Sequence, residues 1–258
     1  YKLAGAALAT ALSQVVGGTV PLFYFARKNS RILRLGRTSF DGRAILKACT
    51  NGSSEFMSNV SMNIVGMLYN TQLLKFAGEN GVAAYGVMMY VSMIFSAAFI
   101  GYSIGTAPVV SYHDGARNFP ELKSLLRKSL VVIGLFGVCM VASAELLSSR
   151  LARMFVGYDA ALMELTVSGF QIFALSFIFM GFAIYGSSFF TALNDGLTSA
   201  AISFLRTLVF QLAALLLLPA LWGIDGVWLA VTAAELAALA VSVYMFVTKD
   251  QKFHYRHV

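Results

Sequence analysis

A stripe of polar side chains within one apolar segment is the part of this sequence best suited to chemistry. Its members are three or four residues apart: Gly52, Glu55, Asn59, Asn63, Gly66 and Asn70. At about 100° per residue, these six positions fall within roughly an 80° arc of one helix face. A charge near the bilayer centre costs at least about 2.5–3.5 kcal/mol, so this face is expected to meet protein or water. The polar stripe therefore predicts an ion or substrate pathway.

Glu55 carries the charge of the polar stripe, and two interpretations of it stay open. As a coupling carboxylate, it would exchange a proton or bind Na+ with help from amide oxygens. As a residue at headgroup level, it would be solvated or would cap neighbouring backbone. Under the first interpretation, four amide side chains are predicted to line a transport cavity: Asn59, Asn63, Asn70 and Gln171.

Two further charges lie inside apolar segments. Arg206 is about eight residues into the sixth apolar segment, and Glu235 lies near the middle of the seventh and last, which runs the other way. At 1.5 Å per residue their heights differ by about one helical turn, which an arginine side chain can bridge. A structural ion pair is the favoured interpretation. The alternative makes Glu235 a second titrating site.

Motifs for enzymatic chemistry are missing from the sequence. It contains no HExxH, no CxxC and no phosphate-cradling glycine loop. We therefore expect a protein that is not an enzyme and that has no cofactor and no resident metal, with Na+ or H+ as a coupling ion only.

The composition predicts an all-α integral membrane protein. Hydrophobic residues make up 58% of the 258-residue chain and charged residues only 12%, about half the charged share of soluble domains. Seven stretches are long enough to cross a bilayer as helices: 3–25, 52–76, 82–112, 125–145, 166–193, 198–218 and 226–247. Short loops after the second stretch predict a six-helix bundle. Gly105 and Pro108 predict a hinge in the third stretch.

The distribution of cations predicts the orientation. The net charge of +7 comes from Lys and Arg that cluster on alternate loops, so the lipid bilayer explains it better than nucleic acid does. By the positive-inside rule, the linker and the C-terminus lie in the cytoplasm. The predicted divisions are the end of a preceding lobe (1–26), a basic cytoplasmic linker (27–51), the six-helix bundle (52–248) and a basic cytoplasmic tail (249–258).

Several motifs together resemble the MATE family of multidrug and toxin extrusion transporters, most closely its MepA-like members. They are Gly5–Gln14, Asn51–Phe56, Gly105–Pro108, Ser111–Ala116 and Gly226–Trp228. Their order and spacing match the C-terminal half of such a transporter, from the end of helix six to helix twelve.

This resemblance implies a bacterial cytoplasmic-membrane antiporter of two six-helix lobes that exports organic cations or drugs in exchange for Na+ or H+. It implies alternating access by rocking of the lobes, and a partner lobe, N-terminal to this one, in the same chain. Glu55 matches the acidic residue of helix seven. The stretch 166–193 has no Asp or Glu, unlike helix ten of some sodium-coupled relatives, which argues against a complete sodium site of that kind in this lobe.

Two other functions stay open at this point. A lipid-linked sugar flippase of the same superfamily would need a more cationic lumen. A membrane receptor or scaffold would need no carboxylate on a polar stripe. Substrate, coupling ion and oligomeric state leave no readable pattern in the sequence.

Overall fold

The computed structural model describes residues 2–27 and 40–253, and these residues form helices joined by short turns, without a strand among them. The chain divides into two compact units, Tyr1–Ile45 and Leu46–Val258. The helices are α1 (Lys2–Ala26), α2 (Gly42–Gly115), α3 (Phe119–Val156), α4 (Ala160–Ala174), α5 (Ser176–Ala192), α6 (Gly196–Phe204), α7 (Gln211–Thr248) and α8 (Asp250–Phe253), with a π-helical turn (Leu205–Phe210) between α6 and α7.

Four continuous helical stretches of the described chain are long and apolar enough to cross a membrane. The pair α4 and α5, bent by 46°, would make a fifth span. Two of the four far exceed a bilayer of about 30 Å, because α2 has 74 residues and the stretch from α6 to α7 has 53. Each contains one glycine in the left-handed region, Gly78 (φ 61°) and Gly223 (φ 57°).

The chain reverses direction at both of these glycines. Residues eight apart in a straight helix are about 12 Å apart. A Cβ atom built on Gly81, however, would lie 3.1 Å from the carbonyl oxygen of Leu73, and one on Gly226 would overlap the carbonyl oxygen of Leu218. Each long stretch is therefore a hairpin of two spans, 42–77 with 79–115 and 196–222 with 224–248.

Counting these hairpins, the described part of the second unit contains six spans, so the predicted six-helix lobe is confirmed. The ends differ from the prediction, because apolar patterning follows the bilayer core while the helices continue past it. The segment between the predicted spans 125–145 and 166–193 is mostly helical, with α3 reaching Val156 and α4 starting at Ala160. The predicted single span 166–193 is broken at Leu175, where the Ile178 amide donates to the Leu175 carbonyl oxygen in a tighter turn.

The core of the lobe surrounds α5, which packs against α3, α6 and α7. The largest fully buried side chains include Trp228, Phe177, Phe189 and Phe190. Glycines permit close approach, since a Cβ atom on Gly137 of α3 would lie 3.1 Å from the Phe177 carbonyl oxygen. The interior is thus closely packed.

The start of α2 falls inside the predicted linker. The amides of Arg43 and Ala44 donate to Asp41 Oδ1 at 3.0 and 3.2 Å, which caps the helix. The cations between residues 28 and 39 of the predicted linker lie outside the described residues. The same is true of residues 254–258 of the predicted tail.

Candidate functional site

The first arm of α2, residues 42–77, has one packed face. Ser61, Val65, Tyr69 and Leu73, four residues apart, are all buried. The Tyr69 hydroxyl donates to Gln211 Oε1 of α7 at 3.3 Å. This ridge fixes the rotation of the arm against the rest of the lobe.

The polar stripe lies on a neighbouring face of the same arm. At about 100° per residue, its centre is roughly 100° around the helix from the buried ridge. Glu55, Asn59, Asn63 and Asn70 are exposed. The lobe therefore positions these side chains by burying the adjoining face, and its own described residues leave the polar stripe uncovered.

Two amides of the polar stripe, those of Asn59 and Asn63, have a defined orientation. Asn59 Nδ2 donates to the Glu55 carbonyl oxygen at 2.8 Å, and Asn63 Nδ2 donates to the Asn59 carbonyl oxygen at 2.9 Å. Because their nitrogens bond to the helix backbone, the side-chain oxygens are the atoms presented outward. Among the described residues, no cationic group lies within 4.0 Å of the Glu55 carboxylate. The face thus offers hydrogen-bond acceptors and one negative charge, which suits a small cation or an ammonium group.

Arg206 and Glu235 meet inside the lobe. Arg206 Nε lies 2.8 Å from Glu235 Oε2, and Nη2 lies 2.8 Å from Oε1, which makes a two-pronged ion pair. The side chain of Glu235 is 3% exposed and that of Arg206 17%. The structure brings this pair together, although whether Glu235 also titrates during function stays a prediction.

Arg206 belongs to the π-helical turn Leu205–Phe210. Gln211, which accepts from Tyr69, follows that turn directly. π-helical turns occur mostly as single bulges inside α-helices and often at functional sites. The sequence carries no signal for this turn, because neither proline nor glycine interrupts 205–210.

The remaining predicted site residues form no hydrogen bond with the polar stripe among the described residues. Gln171 is exposed on α4, and no hydrogen bond among the described residues joins it to the stripe. Gly105 is exposed, and a Cβ atom built there would meet nothing within 4 Å. Pro108 lies inside the second arm of α2. The hinge at Gly105 and Pro108 stays a prediction.

A cluster of hydroxyls joins α5 to α6. Ser187 Oγ lies 2.9 Å from Ser199 Oγ and 2.7 Å from Ser203 Oγ, and Thr191 Oγ1 lies 2.6 Å from Ser199 Oγ. Such hydroxyls hold membrane helices together. This cluster is not among the sites predicted from the sequence. The sequence does contain a pattern that could have predicted it: hydroxyl residues four apart on two consecutive helices, at 187 and 191 and at 199 and 203.

Comparison with known proteins gives consistent matches. The MatE family model matches residues 56–215. Multidrug export protein MepA of Staphylococcus aureus (strain bovine RF122 / ET3-1) is 24% identical over 254 residues, covering 97% of this chain and 55% of that protein. The chain thus spans about half the length of the curated relatives that it matches.

Solved structures agree with this fold. A crystal structure of a MATE in complex with MaL6 superimposes with a TM-score of 0.87 at 21% identity, covering 97% of this chain and 57% of that one. An outward-facing multidrug resistance MATE family transporter of the MOP superfamily gives 0.85 at 23% identity, with 97% and 56% covered. The predicted resemblance is confirmed, and the chain belongs to the MATE family.

Proposed function

We propose that this chain is the C-terminal lobe of an exporter that moves organic cations out of the cell in exchange for Na+ or H+. The observation that carries the proposal is the exposed polar stripe, which presents acceptors and one carboxylate beside a closely packed lobe. MepA, a multidrug export protein by name, supports an export function for the whole protein.

A second lobe would cover the polar stripe in the complete transporter. The stripe would then line the cavity between the lobes, where Glu55 binds the coupling ion or the cationic cargo in turn, and alternating access follows from rocking of the lobes. Asn59, Asn63 and Asn70 would contribute amide oxygens, and Gln171 would line the cavity from α4. Because the stripe needs this cover, we expect residues 1–258 alone to show no dye efflux.

The orientation follows from the cations. Arg43 and Lys47 precede the polar stripe, Lys123, Arg127 and Lys128 lie near the start of α3, and Lys249 follows α7. In the cytoplasmic membrane, the positive-inside rule assigns these ends to the cytoplasm. Glu55 would thus lie near the cytoplasmic end of its span.

The two other functions fit less well. A flippase for pyrophosphate-linked sugars needs cationic groups in its lumen, and the polar stripe has none. A receptor or scaffold is set aside by the family match over residues 56–215.

The test is efflux of ethidium from vesicles that contain the full-length transporter, under separate Na+ and H+ gradients. We expect Glu55→Gln to reduce gradient-driven efflux at least about tenfold, because the neutral amide cannot exchange the coupling ion, and we expect the gradient that drives the wild type to identify that ion. Glu79→Gln is the matched control, because Glu79 is an exposed carboxylate at the far end of the same hairpin. Full efflux by a folded Glu55→Gln variant would remove Glu55 from coupling.

A further inference from the structure

The start of α3 carries an open groove of about 550 Å³. Three cationic side chains line it, Lys123, Arg127 and Lys128, together with the Ser124 hydroxyl. Pro120 and Val131 provide apolar walls. All of these residues lie within the first four turns of one helix.

The cations of this groove form no ion pair with the described residues, and they outnumber the one nearby carboxylate of α3, that of Glu121. No carboxylate of the described residues lies within 4.0 Å of Lys123, Arg127 or Lys128. Glu121, in the first turn of α3, does not line the groove. At 100° per residue it is about 120° around the helix from Arg127 and about 20° from Lys128, but it is seven residues, or about 10.5 Å along the helix axis, from Lys128. The groove therefore attracts anions.

An exposed apolar strip continues from the groove along the same face. Val131, Leu135 and Val138 are 57%, 63% and 59% exposed. They lie four, eight and eleven residues after Arg127, and so within roughly an 80° arc of it. A ligand that fills both parts has an anionic head and an apolar tail.

We propose that this groove binds the phosphate group of an anionic phospholipid, with an acyl chain along Val131, Leu135 and Val138. A phosphate can accept hydrogen bonds from the arginine, the two lysines and the serine hydroxyl. Lys and Arg clustered at the cytoplasmic end of a membrane helix attract anionic headgroups, and the orientation proposed above places this end of α3 in the cytoplasm. The apolar strip distinguishes a lipid from free phosphate. The site is independent of the polar stripe and of the proposed ion coupling.

The test is native mass spectrometry of the full-length transporter in detergent, titrated with phosphatidylglycerol or with phosphatidylcholine of the same chain length. The variants are the triple substitution Lys123→Gln, Arg127→Gln, Lys128→Gln and the control pair Arg150→Gln, Arg153→Gln near the other end of α3. We expect the wild type and the control to retain phosphatidylglycerol in preference to phosphatidylcholine. We expect the triple variant to bind phosphatidylglycerol about 100-fold more weakly, because three cations that attract the anionic headgroup are removed.

Equal retention of phosphatidylglycerol by the triple variant and the wild type would overturn the proposal. Displacement of the lipid by millimolar inorganic phosphate would overturn the acyl-chain part of the site. If thermal unfolding shows that the triple variant is misfolded, Arg127→Gln alone serves, and wild-type affinity in that variant would likewise contradict the site.

Discussion

Two carboxylates of this lobe, Glu235 and Glu55, have opposite surroundings. Glu235 is buried and held in a two-pronged pair with Arg206. Glu55 is exposed on the polar stripe, and its described neighbours provide no cation within 4.0 Å. A carboxylate held by a guanidinium is already satisfied, whereas one among outward-facing amide oxygens can still bind a cation. The same residue type is thus suited to structure in one place and to exchange in the other.

The difference extends to the faces on which the two residues lie. Around Glu235, helices are in van der Waals contact, and a substitution there changes the free energy of unfolding. Around the polar stripe, side chains meet no covering helix of the described lobe, and a substitution there is expected to change transport instead. The predictions below test this contrast.

The largest expected effect on stability comes from Glu235→Leu. The substitution leaves the Arg206 guanidinium without its partner in a mostly buried site, and we expect a loss of about 3–5 kcal/mol in the free energy of unfolding. Thermal unfolding of the purified protein in detergent measures it. The double variant Arg206→Met, Glu235→Leu should recover most of the loss, because no buried charge remains. A single variant as stable as the wild type would show that the pair does not stabilise the lobe.

A smaller effect is expected from Gly181→Ala in the packed interior. The new Cβ atom would lie 2.6 Å from Phe99 Cδ1 and 2.7 Å from Ile133 Cγ2, and overpacking of this kind costs about 1–3 kcal/mol. Gly105→Ala is the matched control, because a Cβ atom there meets nothing within 4 Å. Chemical denaturation should separate the two variants. Equal stabilities would contradict the close packing at Gly181.

The smallest expected effect belongs to Asn63→Ala on the polar stripe. Loss of one neutral hydrogen-bonding group, about 0.5–1.5 kcal/mol, should raise the half-saturating concentration of the transported cation about two- to tenfold. Stability should change by no more than about 0.5 kcal/mol. Thr71→Ala is the control, because Thr71 is exposed on another face of the same arm, where its hydroxyl donates to the Met67 carbonyl oxygen. A variant that loses stability but keeps its cation affinity would assign Asn63 to packing.

Much of the fold could be predicted from the sequence, because apolar stretches of bilayer length and glycine-containing turns are local features. The reversal at Gly78 falls between the predicted spans 52–76 and 82–112, and the reversal at Gly223 falls between 198–218 and 226–247. The break at Leu175 and the π-helical turn at Leu205–Phe210 could not be predicted, because neither contains a helix-breaking residue. We attribute both the break and the π-helical turn to packing against neighbouring helices, which local sequence does not encode.

The candidate site was predictable in part for the same reason. Helical periodicity places Glu55, Asn59 and Asn63 on one face whatever else the chain does. Periodicity does not say which neighbour covers that face, and so the exposure of the polar stripe needed the structure. The height estimate predicted that Arg206 can reach Glu235, but the two-pronged geometry and the π-helical turn that contains Arg206 are visible only in the structure.

The most direct test of the contrast is carbodiimide labelling of the full-length transporter in membranes, read residue by residue by peptide mass spectrometry with and without ethidium. We expect Glu55 to be labelled at least about tenfold more than Glu235, because Glu55 is accessible and Glu235 is held by Arg206. We also expect ethidium to protect Glu55. Equal labelling of the two carboxylates, or labelling of Glu55 that ethidium leaves unchanged, would contradict the assignment of structure to Glu235 and cation exchange to Glu55.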